Sequence, residues 1–110
     1  MRQERNIWLA TVRPDGRPHL TPIWFVHEAD RWYVCTAPDS VKARNLQMNP
    51  RVSVALEDGD NAYVVEGTAR AINPPASVVR RFKEKFDWDI TTDSQYSVVF
   101  EITVQKQLMG

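Results

Sequence analysis

The spacing between the first three β-favouring segments limits the fold of this chain more than any other feature. Each segment is rich in branched and aromatic residues, and the first of the two short turns between them carries Asp15-Gly16, a hairpin signal. A parallel pair of strands needs a crossover of about a dozen residues or more, which neither turn can supply. We therefore predict antiparallel pairing. The three strands are NIWLATV (6–12), HLTPIWFVHE (19–28) and RWYVCTA (31–37).

The rest of the chain predicts three further strands and two short helices. Asp39 or Ser40 can cap the first helix, which ends before Pro50. The second helix opens at the proline pair 74–75 and carries apolar residues at helical spacing. The remaining strands are RVSVALE (51–57), AYVVEGTARAI (62–72) with a bend or bulge at Gly67, and YSVVFEITVQ (96–105). We predict a mainly β (α+β) chain of six strands, for which an antiparallel barrel removes the exposed edges.

Composition narrows the functional classes. With 110 residues the chain is expected to form one domain, 1–110, and its zero net charge and lack of a basic run disfavour nucleic acid and membranes as partners. No signal peptide or membrane-spanning run is recognisable, so a cytoplasmic location is expected. Cys35 lies among apolar residues and is interpreted as an inert core residue. His19 and His27 lie more than about 20 Å apart on one strand, so no metal site is predicted.

Two cations occupy the first turn of the predicted first helix, the end at which a helix normally recruits acids. Lys42 and Arg44 can belong to a solvated helix surface that needs no ligand. Alternatively, the Lys42 ammonium, the Ser40 hydroxyl and free backbone N–H groups can converge on one phosphate, whose negative charge makes the cations favourable. The second interpretation is our hypothesis for this segment. No glycine-rich nucleotide fingerprint accompanies it.

Aromatic residues suggest a second part of a site. The segment TPIWF (21–25) can be a buried strand or an edge beside a planar ligand, where Pro22 interrupts the ladder. Trp88 stands in the polar loop DWDITTDSQ (87–95), where a tryptophan can contact a ligand or an interface, or can pack locally. Both pairs of interpretations stay open at this point.

Three segments together resemble one known family. The chain is similar to the pyridoxamine 5′-phosphate oxidase-like, FMN-binding split barrels, and the resemblance covers most of residues 7–72. It is carried by LATVRPDGRPHLTPIWFV (9–26), SVKARNLQMNPRVSVAL (40–56) and VEGTARAI (65–72). It implies a six-stranded antiparallel split β-barrel that forms a homodimer, with two cofactors in the clefts between the subunits.

The resemblance also implies roles for particular residues. Pro22, Ile23 and Trp24 would lie along the flavin ring, and Thr36 and Ala37 would lie beside the ribityl chain. Ser40 and Lys42 would hold the phosphate, with Arg44 as a helper. Trp88 would reach across from the other subunit.

The expected function is FMN-dependent oxidation or reduction of a small molecule. The family's pyridoxamine phosphate oxidases carry a C-terminal arginine- and histidine-bearing segment that has no match in VQKQLMG (104–110), so vitamin B6 oxidation is not expected. Several alternatives stay open. One is a deazaflavin-dependent reductase, whose groove is usually more basic. The others are a non-enzymatic flavin-binding or flavin-sequestering protein with its cleft plugged by Trp88, and a dimeric interaction domain with an empty cleft. Haem is a further alternative, for which no ligand histidine stands out.

Overall fold

A computed structural model describes residues 4–110. Seven strands, two α-helices and one turn of 3₁₀ helix follow one another along the chain. The strands are β1 (Asn6–Val12), β2 (Pro18–Trp24), β3 (Val26–Glu28), β4 (Arg31–Thr36), β5 (Arg51–Leu56), β6 (Val64–Ile72) and β7 (Val98–Met109). The helices are α1 (Val41–Met48) and α2 (Ala76–Phe86), and the 3₁₀ turn is Ile90–Thr92.

The strand count is seven rather than the predicted six, because the predicted second strand is interrupted at Phe25. Its first part, β2, pairs with β1, whereas its second part, β3, pairs with β4. Between them the Phe25 N–H donates to the carbonyl oxygen of Arg5 at 3.2 Å, and the Phe25 side chain is fully buried. The chain therefore changes its partner strand at Phe25, which the alternation of the sequence does not reveal.

All seven strands form one antiparallel sheet, as the short turns predicted. The order across the sheet is β2-β1-β5-β6-β7-β4-β3. The two edge strands, β2 and β3, are joined only by Phe25, so the sheet has to curl until its edges meet. The result is a barrel that is split between β2 and the β3–β4 pair, in agreement with the mainly β split-barrel prediction.

Two apolar cores lie on opposite sides of the curved sheet. The barrel core contains Trp32, the largest fully buried side chain, and Phe25. The second core lies where α2 packs on the outside, and it buries Val78 and Phe82 completely. Burial of each such side chain stabilises the fold by roughly 1.5–3 kcal/mol. Strand β7 contributes to both cores, because Phe100 faces the barrel and Val99 faces α2.

Helix α1 begins where the sequence predicted. Of the two candidate caps it is Ser40 that acts, because its hydroxyl accepts the N–H of Ala43 at 3.2 Å. Asn45 anchors the helix to the barrel by donating to the buried hydroxyl of Thr11 at 3.0 Å. The cap and this anchor hold the first turn of α1 beside the split of the barrel.

Helix α2 and the loop after it cover the other side of the split. The helix ends at Asp87, which adopts the left-handed conformation (φ 52°) that aspartate tolerates better than most residues. The last strand starts at Val98, two residues later than predicted, and runs on to Met109. Neither helix of the described chain, residues 4–110, has the length and apolar character needed to cross a membrane.

Candidate ligand-binding site

A cavity of about 630 Å³ opens at the split of the barrel. Strand β2, the end of β4, the start of α1 and the segment from the end of α2 to residue 96 surround it. Its size falls in the range of about 300–1,000 Å³ that is usual for small-molecule and cofactor sites. The lining residues are Asn6, Pro22, Ile23, Trp24, Cys35, Thr36, Lys42, Phe86, Asp87, Trp88, Asp93 and Tyr96.

Lys42 is the cation that lines the cavity. Its side chain is half-buried, and burial lowers the pKa of its ammonium group below the ordinary lysine value. Beside it in the fold, the hydroxyls of Thr36 and Ser40 lie 3.1 Å apart and share a hydrogen bond. Because Ser40 accepts the Ala43 N–H, the Ser40 proton stays free to point at a ligand when Thr36 donates to Ser40. This part of the cavity therefore offers hydrogen-bond donors and positive charge.

Two further polar groups on β2 are not among the residues that line the cavity, and the sequence analysis did not single them out as site residues. The charge of Lys42 acts on one of them, His19. The Nδ1 atom of His19 and the hydroxyl of Thr21 are buried and have no hydrogen-bond partner among residues 4–110. Both stand on the face of β2 that also carries Ile23 of the cavity wall. Burial first, and then the charges of Arg13 and Lys42, lower the pKa of His19, which favours its neutral ring. Alternation along β2 could have shown that the three residues share a face.

Another part of the cavity is lined by four aromatic rings, in contrast to the polar part at Lys42. We call them the aromatic corner: Trp24, Phe86, Trp88 and Tyr96. Trp24 stacks on Phe86 with ring centroids 4.4 Å apart and 5° between the planes. Trp88 meets Trp24 and Tyr96 nearly edge to face, at 73° and 87°. Trp24 and Phe86 thus form one stacked pair, and Trp88 stands across Trp24 and Tyr96, so the four rings do not form a single stack.

Carboxylates accompany the aromatic corner. Asp93 accepts the indole N–H of Trp88 at 3.0 Å and the backbone N–H groups of Gln95 and Tyr96 at 2.9 and 2.8 Å. The Tyr96 N–H is the largest cause of the lowered pKa of Asp93; burial opposes it, and the bonds from Trp88 and Gln95 add to the lowering. Asp87 also lines the cavity and pairs with Lys83 at 2.7 Å.

The remaining polar candidates supply no reactive centre. Cys35 lines the cavity, but burial, with a smaller contribution from Asp93, raises the pKa of its thiol to about 12. A thiol with that pKa is not a nucleophile at neutral pH. Among residues 4–110, no three histidine, cysteine or carboxylate side chains are placed to hold a metal ion.

The structure brings together six of the nine residues that the sequence singled out. Pro22, Ile23, Trp24, Thr36, Lys42 and Trp88 all line the cavity. The other three lie around it: Ala37 follows Thr36, Ser40 contacts Thr36, and Arg44 is exposed on α1. Trp88 lines the cavity of its own chain, whereas the resemblance led us to expect it from the other subunit.

Comparison with known proteins identifies the family. The family described as pyridoxamine 5′-phosphate oxidase matches residues 1–108. This chain belongs to the pyridoxamine 5′-phosphate oxidase family. The resemblance noted from the three sequence segments is thereby confirmed, and it extends over nearly the whole chain.

Proteins that resemble the chain have diverse names. Heme oxygenase HutZ of Vibrio cholerae is 36% identical over 86 residues, which are 76% of this chain and 49% of that protein. The chain thus spans about half the length of this curated relative. A conserved hypothetical protein of Mycobacterium tuberculosis, Rv2991, is 30% identical with a TM-score of 0.78, over 94% of this chain and 75% of that one.

Two more solved structures share the fold at lower identity. The crystal structure of HutZ, titled a heme storage protein from Vibrio cholerae, has a TM-score of 0.82 at 22% identity, over 97% of this chain and 87% of that chain. An F420 reductase has a TM-score of 0.76 at 23% identity, over 96% and 91%. At these identities the likeness establishes the split-barrel fold, and the names describe those proteins alone.

Proposed function

We propose that this chain is an FMN-dependent oxidoreductase that acts on a small molecule, with the phosphate of FMN seated at Lys42. The observation that carries the proposal is a pair of unpaired, buried polar atoms on β2, of which His19 lies near enough to Lys42 to be affected by its charge. His19 Nδ1 and the Thr21 hydroxyl lack partners, and Lys42 has lost part of its hydration. Buried polar groups normally have hydrogen-bond partners, and an isolated group costs about 1–3 kcal/mol.

A phosphate group fits these residues chemically. It carries charge that offsets the desolvation of the Lys42 ammonium, and its oxygens accept hydrogen bonds from hydroxyls at Thr21 and Ser40. The neutral ring of His19 can donate from Nδ1 when that nitrogen carries the proton. The N-terminus of α1 contributes its positive partial charge to the same place. A bound phosphate would explain why basic residues occupy the first turn of this helix.

The flavin ring is proposed to lie along Pro22, Ile23 and Trp24. Strand β2 pairs with β1 on one side and is an edge of the sheet on the other. No strand pairs with the open edge, so the missing N–H of Pro22 costs no hydrogen bond between strands there. FMN, when bound, supplies two-electron redox chemistry, and the protein has to bind it, orient it and exclude water. This division of roles accounts for a cavity without an acid–base pair.

A homodimer completes the proposal. The outer face of β1, β2 and β5 exposes Trp8 to 40% and Leu20 to 60%, and a groove of about 390 Å³ lies between them. Ala10, Ala55 and Val64 line the same groove. A contiguous apolar face of this kind marks an association site, and in a two-fold dimer the same face of a second copy can cover it. The cofactor clefts of the split-barrel family lie between such subunits.

Haem binding is the second candidate, and the likeness to HutZ favours it. The two histidines of the chain are His19 and His27. His19 Nδ1 has no hydrogen-bond partner among residues 4–110 and is the histidine nitrogen that could ligate an iron, whereas His27 packs against Trp32 with ring centroids 4.6 Å apart. A deazaflavin coenzyme is the third candidate, since an F420 reductase shares the fold. Both candidates would give absorption spectra unlike that of FMN.

The test is a titration of the protein with FMN and with riboflavin, which lacks the phosphate. We expect FMN to bind more tightly than riboflavin, and Lys42→Ala to weaken FMN binding by about 1–3 kcal/mol, or roughly 5- to 150-fold, while riboflavin binding and the fold are unchanged. Lys106→Ala, at an exposed lysine on β7, is the matched control. Arg44→Ala should have a smaller effect than Lys42→Ala, because Arg44 is exposed outside the cavity.

Several results would count against the proposal. Equal affinity for FMN and riboflavin would show that the protein does not recognise the phosphate. Preferential binding of haem or of a deazaflavin coenzyme would favour the other candidates. Turnover has to be tested separately, by anaerobic reduction of the bound flavin and reoxidation with an acceptor. Tight FMN binding without turnover would indicate a flavin-sequestering protein.

A further inference from the structure

Two walls of the cavity come from parts of the chain that are far apart in sequence. One wall is the end of β2, from Pro22 to Trp24, and the other begins at Phe86, where α2 ends, and continues to Trp88. The stack of Trp24 on Phe86 is one contact between the two walls. Any further contact between the end of β2 and the end of α2 helps to fix the width of the cavity.

Lys85 provides a second contact between the same two ends. From the last turn of α2 its Nζ atom donates a hydrogen bond to the carbonyl oxygen of Phe25, the residue after β2, at 2.8 Å. The same Nζ lies 3.7 Å from the ring centroid of Phe25 and 5.3 Å from that of Phe86, within the range of about 6 Å for cation–π attraction. Both bonded residues are sequence neighbours of the stacked aromatic pair, so the bond joins the two walls beside that stack. We call this contact the Lys85 bridge.

The position of Phe25 explains why its carbonyl is the acceptor of the Lys85 bridge. Phe25 lies between β2 and β3, where the chain changes its partner strand, and its side chain is fully buried. Such a break interrupts the regular ladder of the strands, whereas buried carbonyl groups normally have a hydrogen-bond partner. The amine of Lys85 provides a donor at this point. The bridge thus ends on the backbone of the barrel and not on a surface side chain.

The amine of Lys85 is held without a carboxylate partner. Among residues 4–110 no ion pair involves it. Burial lowers the pKa of Lys85 to about 8, the charges of Glu4 and Glu57 oppose this effect, and the charge of Arg5 adds to it. These charged groups lie just before β1 and just after β5. The half-buried amine is therefore engaged by the barrel and not by a surface ion pair.

We infer that Lys85 is a positioning residue, which joins the end of α2 to the end of β2 and so holds the two walls of the cavity in place around a ligand. Lys85 is not among the residues that line the cavity of the described chain, so it acts through Phe25 and Phe86. Loss of the Lys85 bridge should let the segment 86–96 move away from β2 more easily. The effect on flavin binding rests on the proposed function, whereas the bridge itself does not.

The Lys85 bridge should respond to pH, and the sign follows from burial. A lysine released into water has a pKa of about 10.4, so the released form binds more protons than the bridged form from about pH 8 to pH 10. Raising the pH from 7 to 9 therefore favours the bridged form by about tenfold. Loss of the proton removes the cost of desolvating the charge, and the neutral amine can still donate an N–H. Carboxylates and guanidinium groups do not titrate in this range.

The test is hydrogen–deuterium exchange of the ligand-free protein, measured by mass spectrometry and corrected for the intrinsic rate at each pH. Lys85→Met keeps the length of the side chain and removes the donor. We expect the amides of residues 86–96 to exchange about tenfold faster in this variant at pH 7, while those of β5 and β6 are unchanged. Arg80→Met, at an exposed arginine on α2, is the matched control and should behave as the wild type.

The pH profile separates positioning from a general loss of stability. In the wild-type protein the protection of residues 86–96 should rise about tenfold from pH 7 to pH 9, and in Lys85→Met it should stay level. Flavin titrations then connect the Lys85 bridge to the cavity. Lys85→Met should weaken the binding of FMN and of riboflavin by the same factor, because the walls and not the phosphate contacts change. Lys42→Ala, in contrast, should weaken the binding of FMN alone.

Each outcome decides the matter. Equal exchange of residues 86–96 in the wild type and Lys85→Met, or wild-type protection that does not rise with pH, overturns the inference. Faster exchange throughout the barrel also overturns it, since Lys85 would then stabilise the fold as a whole. Unchanged affinity of Lys85→Met for both flavins overturns the positioning role. If exchange changes as expected in a protein that binds neither flavin, the Lys85 bridge stands and the proposed function fails.

Discussion

Glu101 carries a charge into the sheet, where its carboxylate meets side chains from two neighbouring strands. Its side chain is 8% exposed. Tyr33 donates to one oxygen at 3.0 Å, and Arg31 and Arg70 donate to the other at 3.1 and 3.2 Å. Burial acts to raise the pKa of Glu101, but the bonds from Tyr33 and the two arginines outweigh it, so the net pKa is lowered. The ionised form is thus the one that the folded state stabilises.

Replacing this carboxylate should destabilise the protein in a pH-dependent way. We expect Glu101→Gln to reduce the free energy of unfolding by about 1–3 kcal/mol at pH 7. Because the folded pKa lies below the unfolded value of about 4.3, the stabilisation is complete above that value and is lost as the pH falls through the folded pKa. Urea denaturation at several pH values measures this.

The control for Glu101→Gln is Glu66→Gln, at an exposed glutamate on the adjacent strand β6. It should leave the unfolding free energy nearly unchanged at every pH, since an exposed carboxylate gains little from folding. A difference between wild type and Glu101→Gln that stays constant down to about pH 3 would contradict a stabilising role for the charge.

At the scale of elements, the pairing of β6 with β7 depends on one glycine. The register shifts between Glu66 and Gly67, which confirms the predicted bend or bulge in this strand. A side chain at position 67 would overlap the backbone carbonyl of Thr103 on β7. Close approach of two backbones, rather than a positive φ, is therefore the reason for glycine here.

Filling this position should weaken the sheet. We expect Gly67→Ala to lower the free energy of unfolding by about 1–3 kcal/mol, because the added methyl group has to push two strands apart. Gly59→Ala is the control, since nothing lies within 4 Å of a Cβ atom placed there. Denaturant unfolding of the three proteins gives the comparison. Equal stability of Gly67→Ala and wild type would show that the bulge can relax at no cost.

At the scale of the whole molecule, the exposed apolar side chains are distributed unevenly. Trp8 and Leu20 lie on neighbouring strands and are exposed on the outside of the barrel, whereas the second core, elsewhere on the outside, is covered by α2. A second copy of the chain is the partner that we propose for this face. The split-barrel cavity at the edge of β2 would then lie close to the boundary between the two copies.

A charge on the apolar face should prevent association. We expect the wild-type protein to be a dimer in solution and Leu20→Glu to be a monomer with weaker FMN binding, because the introduced carboxylate would be buried without a partner. Analytical ultracentrifugation and the FMN titration report the two effects. Met48→Glu, at a 73% exposed residue on α1, should remain dimeric. A monomeric wild-type protein that binds FMN normally would contradict this proposal.

Much of the site was accessible from the sequence because its parts obey local rules. The Ser40 cap and the cations that follow it lie within a few residues of one another, so helix chemistry alone points to Lys42. The missing N–H of Pro22 favours an edge strand, and β2 is an edge of the sheet, although its pairing with β1 continues through Pro22. His19 was considered only as a metal ligand, because its nearness to Lys42 joins residues that are distant in the chain.

The sequence by itself determined the antiparallel architecture, the position of α1 and membership of the family, because turn chemistry, capping and alternation act between neighbouring residues. Only the tertiary structure decided that the chain changes partner strands at Phe25, that His19 lies within reach of the Lys42 charge, and that Trp24 stacks on Phe86. These contacts join residues far apart in the chain. The entropy of closing such loops changes slowly with their length, so complementary packing selects among them and no local pattern does.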